Sequence, residues 1–151
     1  MKISLVSIGT RTGRGKREGE ELLVQDYLKR ANRFAPSDSS WVESDSAFWG
    51  KVAGSHGRTL TKVILMDGVG RSLTSWEFAA YLGDLRDRGT QQVIIGIGGA
   101  DGWGDESRGR SDLVVSLGSM TLPHALARVV TAEQIYRALT ILAGHPYHCG
   151  H

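Results

Sequence analysis

Three short runs with apolar centres set the strongest limit on how this chain folds. They are KVILMD (62–67), QQVIIGIGG (91–99) and DLVVSLG (112–118). Continuous apolar runs of this length are typical of strands covered on both faces of a parallel sheet. A fourth run, ISLVSI at 3–8, predicts another strand near the start.

Segments with helical spacing separate the predicted strands. Residues 18–34 place their leucines at helical intervals, and 121–144 form the longest predicted helix. Between them, Thr74 and Glu77 have the spacing of a capping box, which predicts a helix through 78–88. Strands that alternate with helices indicate an α/β fold with a mainly parallel sheet flanked by helices.

Other stretches give weaker signals. SWVES, at 40–44, weakly predicts a second strand, and GVGR, at 68–71, predicts a turn that closes the strand before it. Residues 45–60 are rich in small and turn-forming residues, and no secondary structure is predicted there. The sequence shows no internal repeat and no linker, so residues 1–151 are expected to form a single domain.

Composition places the chain among globular proteins, with 40% hydrophobic and 23% charged residues. No apolar run approaches the roughly 20 residues of a membrane-spanning helix. The start, MKISLVSIGT, lacks the pattern of a signal peptide. One cysteine cannot form a disulfide framework within the chain, so we expect a cytoplasmic location.

The formal net charge is only +2, yet a glycine-containing segment near the start concentrates positive charge. It carries Arg11, Arg14, Lys16 and Arg17. Cationic loops of this kind follow phosphate backbones, because each neutralised phosphate releases counterions. These four residues are therefore candidates for RNA contact, and the alternative is a solvated loop that only aids solubility.

Three loops rich in glycine or small residues follow the apolar strands. They are DGVGR (67–71), GIGGADGWG (96–104) and SLGSMTLPH (116–124). Ligands of parallel α/β sheets bind beyond the carboxyl ends of the strands, and small residues there let a ligand approach the backbone closely. The three loops together predict a pocket at that edge.

Several common sites do not fit the sequence. A dinucleotide-binding frame from Gly96 has Asp101 where the third glycine belongs, and no Gly-Lys-Ser/Thr motif of a P-loop occurs. The lone Cys149 and the C-terminal histidines lack the spacing of metal ligands, so no metal is expected.

Three side chains of the last predicted helix allow two explanations each. His124 either orients a ligand or fills the first turn of the helix. Arg128 and Arg137 either serve a function or form an ordinary buried ion pair or solvated face.

Four motifs together carry a resemblance to a known family. They are KVILMDGVGR (62–71), IIGIGGADG (94–102), SLGSMTLPHALARVVTAEQIYRA (116–138) and HPYH (145–148). In this order and spacing they resemble the RlmH family, small bacterial SPOUT methyltransferases that methylate N3 of a pseudouridine in 23S ribosomal RNA. The likeness runs from about Lys62 to His148 and includes the start, MKISLVSIGT.

The resemblance implies a SPOUT-type α/β fold with a deep trefoil knot, a homodimer, and S-adenosylmethionine bound in the knot. It assigns the cofactor to the three strand-end loops described above. The assigned residues are Met66, Gly98, Gly99, Gly118, Ser119, Met120, Thr121, Leu122 and Pro123.

The resemblance also suggests which residues contact the RNA base. Tyr147 and His148 are candidates for contacting or deprotonating it, Arg128 for stabilising its anion, and Asp101 is a weaker candidate for a base. His124 joins the basic segment as a candidate for RNA contact. The C-terminal tail is expected to be extended and to become ordered over the pocket when cofactor or rRNA binds.

Two departures from the family pattern are visible. Family members commonly carry Pro-Glu-Gly after the paired glycines, where this chain has Ala100, Asp101 and Gly102. Residues 43–60 read as shorter and less helical than the corresponding family segment. The first departure leaves an alternative open, namely a catalytically inactive protein with a SPOUT fold that binds RNA or the ribosome.

Overall fold

A computed structural model describes residues 1–9 and 18–149. The strands are β1 (Lys2–Ile8), β2 (Ser37–Val42), β3 (Thr61–Ser72), β4 (Gln92–Ile97) and β5 (Leu113–Ser116). The helices are α1 (Glu18–Ala31), α2 (Asp45–His56), α3 (Ser75–Asp87), α4 (Asp105–Arg110) and α5 (His124–Leu142). The strands form one sheet in the order β2-β1-β4-β3-β5.

All strand pairs of this sheet are parallel, which confirms the predicted α/β architecture. The apolar runs alternate between two faces, so Ile3 and Leu5 of β1 pack with α1, α3 and α5, while Val6 and Ile8 pack with α2. Burial on both faces explains why these strands are apolar throughout. The trefoil knot stays a prediction of the resemblance.

The predicted capping box at the start of α3 is confirmed. The backbone N–H of Glu77 donates to the Thr74 hydroxyl at 3.1 Å, and the Thr74 N–H donates to the Glu77 carboxylate at 2.7 Å. The bond from the Thr74 backbone N–H, and then hydrogen bonding by the Thr74 side chain, lower the pKa of Glu77. The box fixes the point where the chain leaves the sheet and turns into the helix.

The predicted turn at 68–71 is wrong, because β3 continues to Ser72. Met66 and Arg71 both pair with Val115, so the residues between them bulge out of the ladder. A Cβ on Gly70 would lie 2.7 Å from backbone atoms of Val114 and Val115. Glycine is therefore required where the bulged strand approaches β5.

The segment 45–60, for which no structure was predicted, is largely helical. Helix α2 begins after Ser44, whose hydroxyl accepts the Ala47 N–H at 3.1 Å. Its buried residues Phe48, Trp49 and Val52 pack on the sheet. Burial of these side chains outweighs the weak helix propensity of the interspersed glycines. The comparison with the family segment stays a prediction, and sequence reasoning also missed α4.

Within residues 1–9 and 18–149, no helix combines the length and apolarity needed to cross a bilayer.

Candidate active site

A cleft of about 700 Å³ opens at the carboxyl edge of the sheet, between the segments that follow β4 and β5 and the bulge of β3. Its volume lies in the range of small-molecule sites. All nine residues that the resemblance assigns to the cofactor line this cleft. They are Met66, Gly98, Gly99, Gly118, Ser119, Met120, Thr121, Leu122 and Pro123.

Glycines shape the wall of the cleft after β4, and they do so for different reasons. A Cβ on Gly98 would lie 3.0 Å from the carbonyl carbon of Gly102 and 3.2 Å from the Trp103 ring, so any side chain there would crowd the loop. A Cβ on Gly99 would meet only Ile8, at an ordinary 3.6 Å. Packing therefore does not require glycine at position 99, and the absence of a side chain there exposes the backbone to the cleft.

The wall after β5 presents apolar side chains to the opening. Met120 is 85% exposed, and Leu122 is also exposed. Gly118 has φ 134°, a conformation that residues with a Cβ rarely adopt. The Ser116 hydroxyl holds this bend by donating to the Gly118 carbonyl at 2.9 Å. A fixed loop thus carries large apolar side chains that the protein interior does not bury.

Asp67 joins the β3 bulge to the loop after β4, and sequence reasoning did not single it out. One carboxylate oxygen accepts the Trp103 N–H at 3.1 Å and lies 3.4 Å from Nη1 of Arg108. The other accepts the Val69 N–H at 3.0 Å. Arg108 also pairs with Asp105, and that hydrogen bond is the main cause of its raised pKa. The aspartate that ends the apolar run was the available signal.

The structure places His124 and Arg128 beside Trp41, near the ends of β1 and β2. His124 lines the cleft, and its ring centroid lies 5.8 Å from that of Trp41. Arg128 is 2% exposed, and its guanidinium carbon lies 4.2 Å from the centre of the Trp41 ring. It donates to the Ser7 hydroxyl at 2.7 Å and forms an ion pair with Glu21.

This arrangement matches the ordinary alternative for Arg128, a buried ion pair. Arg128 is not one of the described residues that line the cleft. Its assigned role in stabilising an anionic base stays a prediction.

The C-terminal tail turns back onto α5 instead of extending away. The Tyr147 ring lies 4.6 Å from that of Tyr136, and its hydroxyl donates to Glu133 at 3.0 Å. His148 Nδ1 lies 2.8 Å from a guanidinium nitrogen of Arg137, which itself pairs with Glu133. The expectation of an extended tail is therefore wrong, whereas its ordering over the pocket when cofactor or rRNA binds stays a prediction. We call Glu133, Arg137, Tyr147 and His148 the tail cluster.

The tail cluster settles the protonation of one candidate. Burial, and then the hydrogen bond to Glu133, raise the pKa of Tyr147 to about 12. The phenol is thus protonated at neutral pH and acts as a hydrogen-bond donor. That proton is donated to Glu133 in a hydrogen bond.

The tail cluster and the cleft lie in different parts of the folded structure. Neither Tyr147 nor His148 is among the described residues that line the cleft. A smaller cavity of about 260 Å³ lies between α3 and α5 and shares Met66, Leu117 and Gly118 with the cleft. Beside that cavity, the Trp76 ring lies 5.0 Å from that of His148.

Other candidates are placed as follows. Asp101 is exposed and lines the cleft. The basic residues Arg11, Arg14, Lys16 and Arg17 lie outside the described residues. Within the described part of the chain, no three histidine, cysteine or acidic side chains are grouped as metal ligands would be.

Comparison with known proteins adds a family and two named relatives. Residues 1–148 match the family described as "Predicted SPOUT methyltransferase". Ribosomal RNA large subunit methyltransferase H of Koribacter versatilis is 43% identical over 151 residues, all of both chains. The protein of that name from Allorhizobium ampelinum is 56% identical over 86 residues, which cover 57% of this chain and 54% of that relative.

A solved structure agrees with the sheet architecture. The SpoU methyltransferase AviRb from Streptomyces viridochromogenes, in complex with its cofactor AdoMet, superposes with a TM-score of 0.50. The likeness covers 95% of this chain and 61% of AviRb at 12% identity, and at that identity it concerns the fold alone. The family match and the full-length relative decide the assignment: the chain belongs to the SPOUT methyltransferase family.

Proposed function

We propose that this protein is an S-adenosylmethionine-dependent methyltransferase of large-subunit ribosomal RNA. The observation that carries the proposal is the cleft, because three loops far apart in sequence bring all nine assigned cofactor residues to its wall. The full-length relative named as a ribosomal RNA large subunit methyltransferase supports the substrate class.

The residues of the cleft fit this cofactor. The bare backbone at Gly99 allows close approach of a ligand, while Met66, Met120 and Leu122 offer apolar surface to a nucleoside and to a methionine side chain. AviRb, which shares the fold, was solved with AdoMet. When bound, S-adenosylmethionine supplies an electrophilic methyl group on a sulfonium.

The contribution of this chain is then chiefly positioning, since in-line methyl transfer depends on the alignment of donor and acceptor. The resemblance to the RlmH family supports N3 of a pseudouridine in 23S rRNA as the acceptor, on assembled ribosomes. That nitrogen must lose its proton before or during attack. Tyr147 and His148 of the tail cluster are the candidates that the resemblance suggests for contacting or deprotonating the base.

The proposal extends to the partners. Assembled ribosomes are the proposed partner, as the resemblance to the RlmH family suggests. The resemblance supports a homodimer, and the exposed Leu22 of α1 and Leu126 of α5 are apolar surfaces that a second copy could cover. A protein that acts on ribosomes belongs in the cytoplasm.

The test is methylation of ribosomes from a strain that lacks the modification, with the product nucleoside identified by mass spectrometry. We expect an N3-methylated pseudouridine, and calorimetry should show saturable binding of S-adenosylmethionine. No binding at millimolar cofactor would overturn the enzymatic proposal. Ribosome binding without methyl transfer would support the catalytically inactive alternative.

The basic segment provides a separate test of docking. Reversal of Arg14 and Lys16 to glutamate should weaken ribosome association and reduce its salt dependence, because fewer phosphate counterions are released. Cofactor affinity, measured by calorimetry, should not change. Unaltered association and salt slope would mean that these side chains are merely solvated.

A further inference from the structure

We propose that Asp67 is a positioning residue for the cofactor. It acts indirectly, by holding in place the loop after β4 that lines the cofactor cleft. This inference rests on the proposed function. Asp67 follows the last regular residue of β3, and its side chain is 9% exposed. It accepts hydrogen bonds from the Val69 and Trp103 N–H groups, and Arg108 forms an ion pair with it.

The loop after β4 has little of its own to hold it in place. Residues 98–102 comprise three glycines, Ala100 and the exposed Asp101. A backbone bond from the Gly102 N–H to the Gly99 carbonyl at 3.0 Å closes the turn, in which these two residues form an isolated antiparallel bridge. Such a glycine-rich turn has much conformational freedom to lose. Its position therefore depends on what holds its ends.

Three contacts hold the far end of this turn, at Trp103, and one of them is a hydrogen bond from the Arg108 guanidinium to the Trp103 carbonyl. The Trp103 ring is buried and lies 4.8 Å from that of Phe48, which ties the loop to α2. The Trp103 N–H donates to Asp67, which ties the loop to the β3 bulge where these two walls of the cleft meet. The carboxylate therefore sets the separation between two walls of the cleft.

An amide could not replace this carboxylate. One Asp67 oxygen faces the Val69 N–H, and the other faces the Trp103 N–H and Arg108. A carboxylate accepts on both sides, whereas an amide accepts on one and donates on the other. In Asp67→Asn, the amide NH2 group must face one set of these N–H donors, and two donors cannot form a hydrogen bond. The two walls then lose their common acceptor while the volume of the side chain is kept.

The experiment measures S-adenosylmethionine binding and steady-state methylation of ribosomes by Asp67→Asn. We expect the KM and Kd for S-adenosylmethionine to rise about tenfold, as for a lost hydrogen bond to a charged group. Because Asp67 touches no reacting atom in this proposal, kcat should stay within about twofold. The matched control is Asp105→Asn, since Asp105 also pairs with Arg108 but its side chain is 100% exposed. Its KM should match that of the wild type.

A second variant, Arg108→Gln, guards against misfolding of the first. It leaves both backbone donors of Asp67 in place but removes the partly exposed ion pair with Asp67 and the hydrogen bond to the Trp103 carbonyl, and should raise KM about threefold. An unchanged KM in a folded Asp67→Asn protein overturns the inference, as does a fall in kcat alone. If Asp67→Asn does not fold, an unchanged KM in Arg108→Gln overturns it. A wild-type protein that neither binds cofactor nor methylates ribosomes would instead overturn the proposed function.

Discussion

The cleft and the tail cluster were both assigned to function from sequence, yet the structure builds them in opposite ways. The cleft is walled by glycine backbone and by exposed apolar side chains such as Met120, which the protein interior does not bury. In the tail cluster, Glu133 accepts from both Arg137 and Tyr147, and Arg137 contacts His148. The cleft thus has unused binding capacity, whereas the cluster satisfies much of its own.

This difference decides how strongly the structure supports a functional role for each region. Exposed apolar side chains are unfavourable in water, and a surface that retains them is readily explained as a ligand-binding site. A network of paired side chains is explained equally well by stability. Experiments that separate binding from stability should therefore affect the two regions differently.

The largest effect is expected from Gly99→Val. The added side chain should lower S-adenosylmethionine affinity by about a hundredfold or more, because it occupies space where ligand meets backbone. Thermal unfolding should change little, since a Cβ at Gly99 meets only Ile8. Calorimetry and a melting curve measure the two quantities.

Gly104→Val is the matched control for Gly99→Val, because a Cβ at Gly104 meets nothing within 4 Å and Gly104 is not among the cleft-lining residues. Its cofactor affinity should be that of the wild type. A folded Gly99→Val protein with normal affinity would show that the ligand pocket lies elsewhere.

Deletion of residues 146–151 should have the next largest effect, and on the other region. It should abolish methylation and also lower the free energy of unfolding by about 2 kcal/mol, because a partly buried aromatic side chain is removed. Tyr147 supplies this packing through its contact with Tyr136. Cofactor affinity should persist, as judged by calorimetry on the truncated protein.

Deletion of residues 149–151 alone is the control, since the contacts of Tyr147 and His148 remain. We expect it to be nearly silent in both assays. If the short deletion is as damaging as the long one, the last three residues have a role that the tail cluster does not explain.

The smallest effect concerns pH. The pKa of Tyr147 is raised in the folded protein from its ordinary value of 10.0 to about 12, so folding favours the protonated phenol. This contribution to stability is fully present below pH 10 and is lost as the pH rises through 12. The wild-type melting temperature should therefore fall more steeply over that range than that of Tyr147→Phe. Parallel curves for the two proteins would show that Glu133 and burial do not act on this hydroxyl.

Local sequence signals predicted much of the fold and of the cleft. The apolar runs mark the four strands that they were assigned to, and Thr74 and Glu77 mark the start of α3. The strand-end loops could be assigned together because parallel strands end at one edge of a sheet. Each of these signals is contained in a few consecutive residues.

The predictions failed where contacts between residues far apart in the sequence decide the local structure. Helix α2 owes its stability to the burial of Phe48 and Trp49 on the sheet, and the β3 bulge to the approach of Gly70 to β5. Neither partner is visible from the segment itself. Gly144 and Pro146 follow the last helix and predict an extended tail, whereas the contact between Tyr147 and Tyr136 decides its course.

The sequence by itself determined the strands, most helices and the set of loops that wall the cleft, because apolar periodicity, capping residues and glycines act over short distances along the chain. Tertiary structure alone decided that Asp67 meets Arg108 across 41 positions and that Arg128 meets Glu21 across 107. Charge pairs of this kind depend on burial and on the approach of separate elements. Their energies arise only once the sheet and its helices have packed.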